Sequence, residues 1–408
     1  MKSRVVITGA GVVSSIGTGA SNVWSALARG DSGIKLISNF DTSRLRCKKA
    51  AQVSGFDVRD YVSHKGVSCF NRSAQFVCAA GKLALKEAEL DLSAFSKDEV
   101  GVALGTAFGS ASSMEAFDEE CMRDGVRFID PMSFPNTVTN SAAGYLSILI
   151  GAAGFNITIS TGLASGLDAI EYAARALSQG DMRFALAGGY DELSLASLLE
   201  LSEAGMLADS CETDGEISAP MDRNRKGLFL GEGAGVVVLE RLEDALARKA
   251  PILAELSSVG TSFCLDASRV VESESQAMTS TLASSGLKVE EIGYVSASAG
   301  GSIEGDSAER LAIEKCFGGH ASSIPVTAIK SMIGEAGGAA GAIQVIIAAL
   351  STRLNAVPPT KGFKAGDTGS LLQKISPFEQ AVDCNAVLVN SFNGLHNNSS
   401  VVVKKFSG

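Results

Sequence analysis

Short runs of β-branched and aliphatic residues recur along the chain, and between them small and apolar residues line broad helical faces. The runs Arg4–Thr8, Val100–Leu104, Ile157–Thr161, Phe184–Ala187, Gly235–Glu240, Ile292–Ala297, Pro325–Ala328, Ala386–Asn390 and Val401–Lys405 predict strands. The stretches Ala74–Glu89, Gly166–Ser178, Ala308–Cys316 and Gly338–Arg353 predict helices. Strands alternating with helices imply an α/β fold whose strands are largely buried.

The pattern repeats. Lys97-Asp98-Glu99-Val100-Gly101-Val102 is similar to Val289-Glu290-Glu291-Ile292-Gly293-Tyr294, each preceded by a helix and followed by a Gly/Ser-rich turn, so two duplicated halves are expected. The same repeat pairs the helix starting near Gly166 with the one starting near Gly338 and sets their N-termini face to face around one central pocket. The Gly-, Asp-, Ser- and Thr-rich segment Ala204–Asn224 reads as a covering loop. A boundary near residue 250 separates an N-terminal half, 1–250, from a C-terminal half, 251–408.

Composition narrows the function classes. A chain of 408 residues with 46% hydrophobic and 20% charged residues and 44 glycines buries a large core. A net charge of −10 without a basic cluster argues against nucleic acid or an anionic membrane as partner. The longest apolar stretch, Ala339–Leu350, is interrupted by Gln344 and falls short of the roughly 20 residues that span a bilayer. The first residues run straight into a strand pattern without the layout of a signal peptide, so a cytoplasmic location is expected. Eight singly scattered cysteines predict reduced thiols, with no metal site and no cofactor. Thr8-Gly9-Ala10-Gly11 through Gly17 lacks the third glycine of a dinucleotide fingerprint, and a tight strand-to-loop turn accounts for Gly9 and Gly11. Only three histidines exist, His64, His320 and His396.

Collinear motifs carry a more specific signal. They are Arg4–Gly17, Pro131–Asn140, Thr161–Ile170, Ala187–Asp191, Pro220–Gly227 through Gly231–Gly235, Lys330–Gly341 and Asn390-Ser391-Phe392. On these the chain resembles the β-ketoacyl-carrier-protein synthase family over essentially its whole length. The resemblance implies a thiolase-like fold in which two pseudo-symmetric, βαβ-rich halves form a layered α-β-α-β-α core. Enzymes of that family use an elbow cysteine as nucleophile and two histidines that stabilise enolate and oxyanion. At the matching positions this chain has Leu163, Ser298 and Glu335, and no cysteine or histidine occurs within 161–177, 292–310 or 328–345. A carboxylate at 335 is expected to repel a developing enolate. Lys330 is retained, but Gln344 stands where the family usually has a glutamate, so the lysine is expected to lack an ion-pair partner and to be structural. His396 falls where the family has a closing glycine-rich loop, here Asn393-Gly394-Leu395-His396-Asn397-Asn398.

Within the family, Gly166-Leu167-Asp168-Ala169 and Ala299-Gly300-Gly301 are similar to the chain length factors, the ketosynthase β subunits of type II polyketide synthases. Many of these carry glutamine at position 163, and the leucine departs from that pattern. The resemblance implies a chain without catalytic activity of its own. It would pair with an active ketosynthase α subunit through Ile157–Thr161 and Pro131–Tyr145 and meet the acyl carrier protein mainly through that partner. It would also shape the tunnel of a growing polyketide, by preference an aromatic one over an aryl polyene. Candidate tunnel residues are Ala111, Ser112, Met114, Phe117, Asp118, Met132 and Phe134, with Leu195 and Leu198 from a second stretch. Two rivals keep the fold: acyl transfer or hydrolysis through Ser165 or Ser298, and a homodimeric acyl-binding module.

Overall fold

The computed structural model describes residues 3–43, 45–180, 182–208, 218–394 and 396–408. Ten principal strands organise it: β1 (Val5–Ser14), β2 (Val100–Gly105), β3 (Asn156–Ile159), β4 (Phe184–Asp191), β5 (Gly233–Arg241), β6 (Ala254–Cys264), β7 (Tyr294–Ser296), β8 (Pro325–Thr327), β9 (Ala386–Phe392) and β10 (His396–Lys404). They hydrogen-bond in the order β3-β2-β4-β5-β1-β6-β10-β9-β7-β8. In each half the first two neighbour pairs counted from the outer end are parallel and the next two are antiparallel. The order β3-β2-β4-β5-β1 is therefore repeated as β8-β7-β9-β10-β6, and the antiparallel β1–β6 pair joins the copies. The duplication read from two short segments extends to the whole topology. The connection between β5 and β6 contains residue 250, and we propose it as the division into 1–250 and 251–408.

Helices complete five layers. The helix α1 (Arg72–Glu87) covers β1 and β5 on the outside of the first half. In the middle lie α4 (Ser165–Gln179) and α8 (Gly338–Leu354), while α6 (Val270–Ser285) and α7 (Ile303–Phe317) cover the second half. Between α1 and α4 come α2 (Ala111–Asp124) and α3 (Ser141–Ile150), and α5 (Leu195–Glu203) follows β4. The central core joins Leu167, Ile170 and Leu177 of α4 to Ile343, Ile346 and Ile347 of α8. The layered, mixed α/β core expected from the sequence is present. One strand escapes the sequence pattern: β6 reads Ala-Glu-Leu-Ser-Ser-Val-Gly-Thr-Ser-Phe-Cys, too polar to register as an apolar run although it lies at the junction of the halves.

Gly9 and Gly11 do not form a turn after the first strand, because β1 continues through both to Ser14. They are small because α1 lies directly on them. A Cβ at Gly11 would come 1.8 Å from the Ala80 carbonyl oxygen, and one at Gly9 would come 2.1 Å from that of Ala84. Gly11→Ala is therefore expected to lower stability by about 1–3 kcal/mol through overpacking. Thermal denaturation checks this, and an unchanged melting temperature would show that the helix shifts freely.

The N-termini of α4 and α8 meet as the repeat predicts, but as a dry glycine contact rather than a pocket. A Cβ on Gly166 would stand 2.1 Å from the Gly338 carbonyl oxygen, and one on Gly189 would stand 2.0 Å from the same atom. The loop Ala204–Asn224 lies partly outside the described residues, which omit 209–217.

Candidate active site

The turn from β3 into α4 forms the elbow, with a single 3-10 turn at Gly162–Ala164 before the helix. Gly162 holds a φ of 71°, left-handed backbone that favours glycine. Leu163 is locked in place on both backbone groups: its N–H donates to Asn393 Oδ1 at 2.8 Å, and its carbonyl accepts from Ser391 Oγ at 2.7 Å. Asn393 Nδ2 also donates to the Thr161 carbonyl at 2.9 Å, so this side chain straps the elbow.

Leu163, Ser298 and Glu335, the first and last of them 172 positions apart in sequence, line one pocket with a volume of about 80 Å³. Each arrives from a different strand end: Leu163 after β3, Ser298 after β7, and Glu335 beyond β8 and the short helix Lys330–Ile333. The Ser298 hydroxyl accepts from Phe392 N–H at 2.9 Å and from Lys330 Nζ at 3.2 Å. Lys330 Nζ donates to Glu335 Oε2 at 2.7 Å, and both side chains are almost fully buried. The lysine therefore has an ion-pair partner, contrary to expectation: the residue at one degenerate position supplies the carboxylate. The charge at 335 is balanced within the site, which removes the simple repulsion expected of it.

Gln344 instead donates to the Ala297 carbonyl at 2.8 Å and to Ser296 Oγ at 3.0 Å. Ser165 is fully buried and its hydroxyl accepts from Thr161 N–H at 2.8 Å, which withdraws it from the list of accessible nucleophiles. His396 is exposed at the start of β10, beside the Phe263 ring, and does not line the pocket.

Four carboxylates that sequence reasoning passed over build the surroundings. Asp306 and Glu309 stand three apart on α7, a spacing that puts both on one helix face and was the available signal. Asp306 accepts from the N–H groups of Met221, Gly300 and Gly301, and Glu309 accepts from Ser298 N–H at 2.8 Å and Asn390 Nδ2 at 3.0 Å. Burial pushes Asp306 up to about 6 and Glu309 up to about 7, against the downward pull of those hydrogen bonds. Glu274 on α6 is pushed up to about 9 by burial and by the neighbouring Glu309 and Asp306. Asp191, at the end of β4, accepts from Gly338 N–H at 2.7 Å, Ala107 N–H at 2.8 Å and Thr106 Oγ1, and burial raises it to about 6. It caps α8 and pins the two halves together.

The candidate tunnel residues lie elsewhere. Ala111, Ser112, Met114, Phe117 and Asp118 belong to α2, which has no fully buried residue. The Ser112 hydroxyl is engaged by the buried Glu192. Met114, Met132 and Phe134 are exposed, and the Phe117 and Phe134 rings meet edge to face at 6.2 Å. Leu198 is fully buried in a cluster that the partly buried Leu195 packs against. None of these residues lines the pocket at Leu163.

A duplicated five-layer α/β core with one site at the strand ends defines a thiolase-like protein of the ketoacyl-synthase type. Residues 2–245 match the family model of the β-ketoacyl synthase N-terminal domain, and residues 257–364 match that of the C-terminal domain. The chain belongs to the β-ketoacyl synthase family. It is 34% identical over 412 residues to 3-oxoacyl-[acyl-carrier-protein] synthase 2 of Vibrio harveyi, covering 100% of this chain and 99% of that protein. Other relatives of that name are 31–34% identical over nearly the full length. Among solved structures, the ishigamide ketosynthase/chain length factor superposes with a TM-score of 0.91 at 27% identity, covering 100% of both chains. AntDE:AntF, a type II polyketide synthase acyl-carrier protein in complex with its ketosynthase bound to the hexaketide, superposes at 0.88 with 26% identity, again covering both chains fully.

These comparisons correct the expectation of a chain length factor without activity of its own. Full-length relatives above 30% identity bear the name of a catalytic synthase, and the polyketide assignment has support only from structural neighbours of lower identity. The physical reason for the error is plain. Three altered side chains at one site outweighed the rest of the chain in the sequence reading, although they say nothing about where the remaining residues place it within the family. Among the described residues no helix is long and apolar enough to cross a membrane.

Proposed function

We propose that the protein works as a β-ketoacyl synthase-type enzyme in carrier-protein-dependent acyl-chain elongation, as one half of a dimer with a second, thiol-bearing β-ketoacyl synthase chain. The observation that carries this is the buried Ser298–Lys330–Glu335 set facing the elbow at Leu163, held on the scaffold of full-length synthase relatives. The Ser298 hydroxyl at the end of that pocket, backed by the buried Lys330 ammonium, is suited to meet a thioester carbonyl. No cysteine lines that pocket among the described residues, so chemistry that needs a thiolate calls for the second chain. The carrier protein docks mainly on that second chain, because this chain's charge of −10 disfavours an acidic partner. The cytoplasm is the compartment that fits these partners.

The pairing has a surface to use. β3 is an outer strand of the sheet, and Met114, Met132, Phe134 and Ile148 are exposed apolar side chains on neighbouring segments. We propose Met114, Phe117, Met132 and Phe134 as contacts to the second chain, and Ala111, Ser112 and Asp118 as contacts to the acyl chain it carries. Phe134→Glu and Met132→Glu are expected to weaken the pair by about tenfold or more, since each buries a charge in an apolar interface. Both side chains are more than half exposed in the single chain, so its own melting temperature should hold. Sedimentation equilibrium of the mixed chains reads the pairing and thermal denaturation of the single chain reads its stability, and unimpaired pairing in both variants would move the interface elsewhere.

A second reading, acyl transfer through Ser298, is favoured by the 3.2 Å approach of Lys330 Nζ. One experiment covers both. The full chain, alone and with a thiol-bearing synthase, is incubated with acyl- and extender-loaded carrier protein, followed by size-exclusion chromatography and mass spectrometry of protein and products. Co-elution with elongated thioester supports the proposal, and an acyl adduct on Ser298 supports the second reading. Neither pairing nor any change in the thioesters would sink both.

A further inference from the structure

The pocket at Leu163 holds hydrogen-bond acceptors that no described residue satisfies. Glu335 Oε1 and Glu274 Oε2 have no partner among the described residues, although both residues are at least nine-tenths buried and line the same pocket. Their neighbours are directed elsewhere. Lys330 is committed to the other oxygen of Glu335 and to Ser298, while Asp306 and Glu309 are themselves acceptors already serving backbone and amide N–H groups. A buried acceptor left unmade costs the desolvation of that group, so the site is arranged for an occupant that donates.

The size and remaining walls limit that occupant. About 80 Å³ has room for several water molecules, enough for a small terminal group. Leu163, Met206, Leu228 and Phe392 give the approach an apolar lining that suits methylene groups. A carboxylate such as a malonyl terminus meets like charge there, whereas a cation offsets the field of Glu309 and Asp306 that keeps the proton on Glu274 and so draws that carboxyl into its ionised form.

We infer that this pocket selects a short acyl group ending in a primary ammonium, an aminoacyl thioester of the β-alanyl kind, with Glu274 and Glu335 receiving the ammonium. The inference rests on the proposal that the site receives carrier-bound thioesters and names which of them it prefers.

Three pantetheine amides, with nitrogen in place of the thioester sulfur, test it on the full chain by isothermal titration calorimetry. The β-alanyl and butyryl forms differ only in a terminal ammonium against a methyl, and the malonyl form carries the opposite charge. The β-alanyl analogue is expected to bind at least tenfold more tightly than the butyryl one, with the malonyl analogue weakest. In Glu274→Gln, whose side chain cannot ionise to meet the ammonium, that preference should fall at least threefold while butyryl binding holds. Equal binding of β-alanyl and butyryl analogues, or preference for malonyl, overturns the inference, leaves the pocket to ordered water and leaves the proposed function standing. No binding of any analogue overturns both. The wild-type comparison decides even where the variant fails to fold.

Discussion

Replacing Lys330 with methionine is expected to lower the unfolding free energy by about 3–5 kcal/mol, because it strands the almost fully buried Glu335 carboxylate without a counter-charge. Ser298 would lose a donor at the same time. The paired variant Lys330→Met with Glu335→Leu should recover most of the loss, since removing both charges also removes their desolvation penalty. Urea denaturation of wild type and both variants makes the comparison. A loss below about 1 kcal/mol in the single variant would show that water or another cation compensates Glu335, and a failure of the double variant to recover would show that Lys330 matters for packing rather than charge.

Stability should fall as pH rises from about 5 to 9. Asp191, Asp306, Glu309 and Glu274 are all raised above their ordinary values, to about 6, 6, 7 and 9, with burial as the leading cause in each. A carboxyl raised in the folded state binds its proton more tightly there than in the unfolded chain. Its contribution is therefore fully present below the unfolded value, near 4, and is lost as pH climbs to the folded value. All four groups lose stability together up to about pH 6, Glu309 continues to about pH 7, and Glu274 alone extends the decline to about pH 9. Each pH unit over which one group is displaced corresponds to about 1.4 kcal/mol. Carboxylates held below their ordinary range, such as Asp222 and Asp367, act on the acid side and place the maximum near pH 5. Melting temperatures across this range check the slope. Glu274→Gln should flatten it between pH 7 and 9, and a wild-type profile that is flat or rising there would mean the buried carboxylates are ionised at little penalty.

The fold was legible in the chain to an unusual depth because its signals are local and repeated. Each helix named from the pattern exists within a few residues of its expected ends, and the match of Lys97–Val102 to Val289–Tyr294 marks the equivalent approaches to β2 and β7 in the two halves. The polar β6 was missed, since its place in the sheet comes from hydrogen bonding to β1 and β10 rather than from an apolar pattern of its own. The positions 163, 298 and 335 were also found by motif, and they do converge on one pocket.

What the residues at those positions do to one another was a different matter. The family resemblance implied that Lys330 had lost its partner, whereas an ion pair forms wherever folding brings opposite charges within reach, and Glu335 lies only 2.7 Å away. The glycines at 9 and 11 marked a close approach, but only tertiary packing tells a turn from a helix lying on a strand. Amino-acid order by itself determined the alternation of strands and helices, the duplication, the family and the three altered positions, because these depend on periodicity and on residue identity. Tertiary structure alone decided which acceptors remain unsatisfied, which charges are balanced and which hydroxyls are sealed in the core. Those properties depend on distance and on exclusion of water, and neither is written in neighbouring residues.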